Sequence, residues 1–185
     1  GRLSMTEKNI LIRLAHPKDL DSLEYINQEC FAGNADVGSA FEWMSARLND
    51  PVFDICVADI DGVTAGYIVW EIKGGWNRTQ PVVELEQLAI DARYRKQGIA
   101  SMLVEQSLPV VGAWVRNTNK HCADTDNAGS GCHNHATIIV WSAEDNPVNK
   151  IYRKFFHTMS GSRRQYGRQE HMLLGVIELP PPKCE

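Results

Sequence analysis

Apolar and polar positions along the chain fall into short runs whose period changes several times. Ile10 to Leu14 is apolar apart from Arg13 and reads as a first strand, broken by His16-Pro17. Asp19 then stands where it can cap a helix from Leu20 to about Cys30, with Leu20, Leu23, Ile26 and Cys30 at helical spacing. Ser39 can cap a second helix, with Phe41, Met44 and Leu48 on one face and Asn49-Asp50-Pro51 closing it. Phe53 to Ala58 and Val63 to Ile72 flank Asp59-Ile60-Asp61-Gly62, and Asp-Gly between apolar runs predicts a hairpin. Lys73 to Pro81 is a loop punctuated by glycine and proline.

Val82 to Ile90 is the next strand, followed by a helix that opens at Gly98 and that Pro109 ends or kinks. Thr137 to Ser142 is β-branched and apolar, as a central strand requires. Asn146 to about Phe156 follows as a helix with Pro147 in its first turn. Tyr166 to Leu179 reads as a final strand or hairpin before a flexible tail at residues 180–185. The order β-α-α-β-β-β-α-β-α-β(-β) predicts an α/β (α+β) mixed sheet with helices on both faces, and there is no internal repeat.

A length of 185 residues suits one domain with a sizeable core. Gly1-Arg2-Leu3-Ser4 before Met5 reads as a vector remnant, which leaves the domain at residues 5–179 with a loop insertion at about 118–136. No apolar run approaches membrane-spanning length and no signal core opens the chain, so no membrane partner and a cytoplasmic location are expected. The formal net charge of −4 argues against nucleic acid as a partner and tilts towards a cationic substrate. Five cysteines at scattered spacing do not form a disulfide framework.

The chemistry concentrates at Leu88-Ala89-Ile90-Asp91-Ala92-Arg93-Tyr94-Arg95-Lys96-Gln97-Gly98-Ile99-Ala100-Ser101. A strand that turns into a helix N-terminus leaves backbone N–H groups without partners, and the helix dipole adds partial positive charge there. Such a turn suits a phosphate group. Arg95 to Ala100 matches the R/Q-x-x-G-x-G/A signature, and with the Leu-x-Ile strand end and the element order the chain resembles the GNAT superfamily of acetyl-coenzyme A-dependent N-acetyltransferases. The likeness runs from Ile10 to Leu179 and is specific to the superfamily, not to a substrate.

This resemblance implies a mostly antiparallel central sheet of six to seven strands and acetyl-coenzyme A as cosubstrate, with no metal expected. Backbone N–H groups of Gln97, Gly98, Ile99, Ala100 and Ser101 would cradle the pyrophosphate, with positive charge from Arg95 and Lys96. Leu88, Ala89 and Ile90 would lead the pantetheine arm along the strand end like an added strand. The Leu88 N–H would polarise the thioester carbonyl. Asn146-Pro147-Val148-Asn149-Lys150-Ile151-Tyr152-Arg153-Lys154 is similar to the family's N-x-x-A-…-Y-x-K segment. Tyr152 would protonate the departing thiolate, and Asn146 or Asn149 would hold the pantetheine, although Asn146 can instead cap its own helix. The chain departs from the family in having Phe156-His157 where Gly-Phe is usual, and its asparagine-to-tyrosine spacing is one residue short.

Glu84 and Glu86 alternate with Val83 and Leu85, so both point to one side of their strand. Glu84 falls where histone-acetylating family members carry their base; Glu86 is the second candidate, and a pair of solvated or salt-bridged strand glutamates is the simpler reading. His121, Cys122, Cys132, His133 and His135 surround an insertion that matches no standard zinc spacing; a zinc site, a Cys122–Cys132 disulfide and a plain loop are the readings left open. Trp76 is a candidate acceptor wall. The expected activity is acetyl transfer to a primary amine of a small molecule or protein, by a monomer or homodimer. The alternatives are a non-catalytic acyl-coenzyme A-binding module on the same fold and a zinc-stabilised binding protein.

Overall fold

The computed structural model describes residues 8–31, 40–73, 81–118, 134–165 and 167–181. Its elements in chain order are β1 (Ile10–Leu14), α1 (Leu20–Phe31), α2 (Ala40–Leu48), β2 (Phe53–Ile60), β3 (Val63–Lys73) and β4 (Val82–Ile90), then α3 (Ile99–Thr118), β5 (His135–Ala143), α4 (Asn149–Tyr152), β6 (Thr158–Gln165) and β7 (Arg168–Glu178). The strands form one seven-stranded sheet in the order β1-β2-β3-β4-β5-β7-β6. All neighbours are antiparallel except β4 and β5, which run parallel because α3 carries the chain from one to the other.

Alternation along the strands divides the core in two. Tyr67, Val69, Ile55 and Val57 pack against Leu20, Leu23 and Ile26 of α1 and Met44 of α2. Their neighbours Ile68, Trp70, Cys56 and Ala58 face the other way, against Ile99, Leu103, Val104, Val111 and Val115 of α3. The indole N–H of fully buried Trp70 donates to the Ser107 hydroxyl at 2.9 Å, so the largest core side chain leaves no polar atom unpaired. On the first face, buried Asp19 takes hydrogen bonds from Arg13 at 2.8 and 2.9 Å, from the His16 N–H at 2.8 Å and from Thr64 at 3.0 Å. It thereby ties the start of α1 to β1 and β3.

The Asp-Gly hairpin is present, with Asp61 at φ 51° and Gly62 at φ 86°, the left-handed pair that a two-residue turn requires. Three expectations change. Pro109 does not end α3, which runs on to Thr118; it lies on the exposed face of the helix. The helix expected over Asn146–Phe156 is α-helical only at Asn149–Tyr152. On either side, bonds such as Asn149 N–H to the Asn146 carbonyl and Phe155 N–H to the Tyr152 carbonyl wind tighter three-residue turns. The final hairpin starts at Thr158 rather than Tyr166, because Thr158–Gln165 is an exposed edge strand with no apolar alternation to mark it.

Candidate active site

β4 and β5 pair only from Val82↔Thr137 to Leu85↔Val140. Beyond that point β4 stays with β3 and β5 stays with β7, which opens a gap in the sheet beside Glu86 to Ile90. A bulge sits at the mouth: Val69 registers with Gln87 but Trp70 with Leu85, so Glu86 is the extra residue. The bulge reverses the side-chain phase of the strand. Val83 and Leu85 pack on the α3 face, and so do Leu88 and Ile90 three and five residues later.

The backbone of the same segment is sorted by its ladder. The Asp91 N–H donates to the Ala65 carbonyl, and alternation from that pair turns the amides of Ala89 towards β3 and those of Leu88 and Ile90 into the gap. Ala89 therefore gives its backbone to the sheet and its side chain to the α1 core. The Ile90 carbonyl is already engaged, by the Cys30 thiol at 3.4 Å and by Arg95 Nε at 3.2 Å. Arg95 also reaches Cys30 with its other arm, so its guanidinium lies over the end of β4.

The turn into α3 is held by buried Asp91, whose carboxylate takes the Arg93 N–H at 2.9 Å and its guanidinium at 2.8 Å. The Arg93 guanidinium holds that carboxyl below the usual aspartate range. Lys96 at φ 60° and Gly98 at φ 80° are both left-handed. The first intrahelical bond of α3 runs from the Met102 N–H to the Gly98 carbonyl at 3.1 Å, so the N–H groups of Ile99, Ala100 and Ser101 have no acceptor within the helix. A Cβ built on Gly98 meets nothing within 4 Å. Open space in front of free amides at a helix start fits a diphosphate, and the gap in the sheet continues from it.

Glu84 and Glu86 do share one side of β4. There they meet two residues that the sequence reading passed over, Glu71 and Lys73 of β3. The Lys73 ammonium lies 2.9 Å from Glu84, 3.0 Å from Glu71 and 3.5 Å from Glu86. The three carboxylates come within 4.8 Å of one another, a spacing that suits a cation, and the Lys73 ammonium supplies one. Burial, a hydrogen bond with Glu71 and the charge of Glu84 push Glu86 up to about 7. The Glu71 carboxyl is held low by that same hydrogen bond and by Lys73. Strand alternation was the available signal: Glu71 and Lys73 have the parity of Tyr67 and Val69, hence the face of α1 and α2.

Tyr152, 6% exposed, is the last residue of α4 and packs edge-on to Phe156 at 5.7 Å. Burial pushes its phenol well above the usual tyrosine range, so it is protonated at neutral pH. Asn149 is tied to the end of β5: the Ser142 hydroxyl donates to its Oδ1 at 2.6 Å, and its Nδ2 donates to the Ala143 carbonyl at 2.9 Å. Asn146 caps the following turn by accepting the Val148 N–H at 3.1 Å. Both amide side chains thus serve the backbone around Tyr152. Lys96, Gln97 and Gly98 are exposed, and Gln97 accepts from Lys8 at 3.3 Å. His121, Cys122, Cys132, His133 and Trp76, and with them the zinc, disulfide and acceptor-wall readings, lie outside the described residues; His135 is exposed at the start of β5. No helix among the described residues is long and apolar enough to cross a membrane.

Comparison with known proteins bears on the family and the fold. The chain is 22% identical over 161 residues to the L-amino acid N-acetyltransferase AaaT of Escherichia coli K12, covering 85% of this chain and 88% of that protein. Its fold is similar to that of Arabidopsis thaliana NAA60 in complex with acetyl-CoA (TM-score 0.62, 17% identity, 91% of this chain and 100% of that one). It is also similar to the ribosomal-protein-alanine N-acetyltransferase of Brucella melitensis (TM-score 0.58, 18% identity, 91% and 99%). The profile of the acetyltransferase (GNAT) family matches residues 20–148, from α1 through the gap to the turn before α4. The chain belongs to that family, the GNAT acetyltransferases, and is an acetyl-CoA-dependent N-acetyltransferase.

Proposed function

We propose that this enzyme acetylates a primary amine by direct attack in a ternary complex, with Glu86 as proton acceptor and Tyr152 as proton donor. The observation that carries the reading is the gap between β4 and β5. It starts at the free amides of α3 and passes the inward-facing amides of Leu88, with Glu86 at its mouth. The amides of Gln97 to Ser101 would hold the pyrophosphate of acetyl-CoA, and Leu88 would pair with the extended arm and polarise the thioester carbonyl. Lys96, exposed beside the turn, would add positive charge.

An alkyl ammonium has a pKa of about 10, so attack requires that a proton leave it. A carboxyl poised at about 7 accepts that proton at neutral pH and releases it to water afterwards. Glu84, bound closely to Lys73, would fix the electrostatics of the site. As the C–S bond breaks, the phenol of Tyr152 would give its proton to the sulfur and regain one from the attacking nitrogen, which must shed its second proton to become an amide. Asn149 and Ser142 would hold α4 so that the phenol points inward.

The test is acetyl-CoA thiol release against a panel of amines, headed by L-amino acids, the class named for the E. coli relative, and followed by peptides, polyamines and amino sugars. Turnover with one class of primary amine, abolished or strongly reduced in Glu86→Gln, is the expected result. Tight acetyl-CoA binding with no thiol release for any amine would instead support a non-catalytic acyl-CoA-binding module.

A further inference from the structure

We propose that Lys73 and Glu71, on β3, are positioning residues that set the proton affinity of Glu86 from opposite directions. The inference rests on the reading of Glu86 as the proton acceptor, and it concerns two residues that do not touch the gap themselves. Glu71 registers directly opposite Glu84, and the bulge at Glu86 brings a second carboxylate of β4 to the same strand end. Three carboxylates and one ammonium then share a space less than 5 Å across. Were all three ionised, the group would carry two uncompensated negative charges. One proton relieves half of that. It sits on Glu86, which is hydrogen-bonded to Glu71 and farthest of the three carboxylates from the Lys73 ammonium.

The two partners therefore act with opposite sign. Lys73 favours the ionised form of Glu86, which is the form that takes a proton from the acceptor. Glu71 favours the protonated form, by repulsion and by accepting its hydrogen bond. The other charged groups facing the cluster are few among the described residues. Glu84 is bound to Lys73. Arg47 of α2, stacked 4.0 Å over Trp43, acts on Glu71. Across β4, Ile139 registers with Glu84 and is neutral, and from α1 the Asn27 amide bonds to Gln87 at 3.1 Å. The proton ledger closes with two protons. The acceptor ammonium gives one to the Glu86 carboxylate before attack, which water takes when the product leaves. The nitrogen of the tetrahedral intermediate gives up a second, which replaces the proton that Tyr152 passes to the departing sulfur.

Two measurements test this. Carbon-detected NMR titration of the glutamate carboxyls needs no acceptor: Lys73→Met should move the Glu86 midpoint up by a pH unit or more, and Glu71→Gln should move it down. Lys73→Arg, which keeps the charge, should restore the wild-type midpoint. The acid limb of kcat/KM, measured with the best amine of the panel, should move in the same two directions while KM for acetyl-CoA changes less than twofold. Midpoints that stay put in both variants, or that move the same way, overturn the proposal. If the midpoints split as expected but Glu86→Gln keeps the wild-type acid limb, the tuning stands and the assignment of Glu86 as proton acceptor falls.

Discussion

The Ser142 hydroxyl donates to the Oδ1 of Asn149 across 2.6 Å, joining the end of β5 to the first residue of α4. Asn149 completes the joint by donating to the carbonyls of Ala143 and Glu144 at 2.9 and 3.3 Å. A four-residue helix has little stability of its own, so this joint is what places Tyr152 three residues on. Asn149→Ala should cost about 1–3 kcal/mol of stability by stranding these partners. Because the amide is occupied by β5, kcat should fall while KM for acetyl-CoA changes little. A large rise in KM with kcat intact would show the amide holding the cosubstrate instead. Steady-state kinetics with a urea melt reads both effects.

Tyr152→Phe isolates the hydroxyl. The ring packs against Phe156 and the α3 core either way, so the fold and acetyl-CoA affinity should be nearly unchanged. Loss of a proton donor to the leaving thiolate should lower kcat on the order of 10²-fold or more. Stopped-flow thiol release alongside calorimetric binding of acetyl-CoA checks this, and unchanged turnover would remove Tyr152 from the mechanism.

What could be read from the residues was the part of the site that is local in sequence. Strand, turn and helix start lie within Leu88 to Ser101, and each rests on nearest-neighbour chemistry: β-branched alternation, a glycine, a helix N-terminus. Glu71 and Lys73 depend instead on the register between β3 and β4 and on a bulge no residue type announces. The same limit explains α4. Apolar spacing over Asn146–Phe156 is helical, but the His157 N–H bonds to the Leu174 carbonyl of β7 and pulls the segment out of the helix, a tertiary contact. The edge strand β6 carries no pattern because most of its side chains are exposed.

Gly98→Ala separates backbone strain from access. With φ at 80° the substitution should cost about 1 kcal/mol, and with nothing within 4 Å of the new Cβ it adds no clash. That methyl would stand where a phosphate must approach the amides of α3. The affinity for acetyl-CoA should therefore weaken at least tenfold while the melting temperature drops by a few degrees. Gly161→Ala, another open position without positive φ and on β6, is the control and should alter neither. Equal acetyl-CoA affinity in the Gly98 variant would argue against the phosphate cradle.

Asp54 gives the fold a pH dependence unrelated to the chemistry. Its carboxyl is 7% exposed on β2 and its Oδ2 has no hydrogen-bond partner, and burial pushes it up to about 6 from its ordinary value of 3.8. The native state thus binds this proton more tightly than the unfolded chain does. Its contribution is complete below about pH 4, declines as pH rises, and is gone above the native value. A shift of roughly two pH units corresponds to about 3 kcal/mol. In Asp54→Asn no proton is exchanged at this position. The difference in unfolding free energy, wild type minus variant, should therefore fall by about 2.5 kcal/mol between pH 4 and pH 8. Urea melts at four or five pH values measure it; a flat difference would mean that the carboxyl is solvated or paired in the native protein.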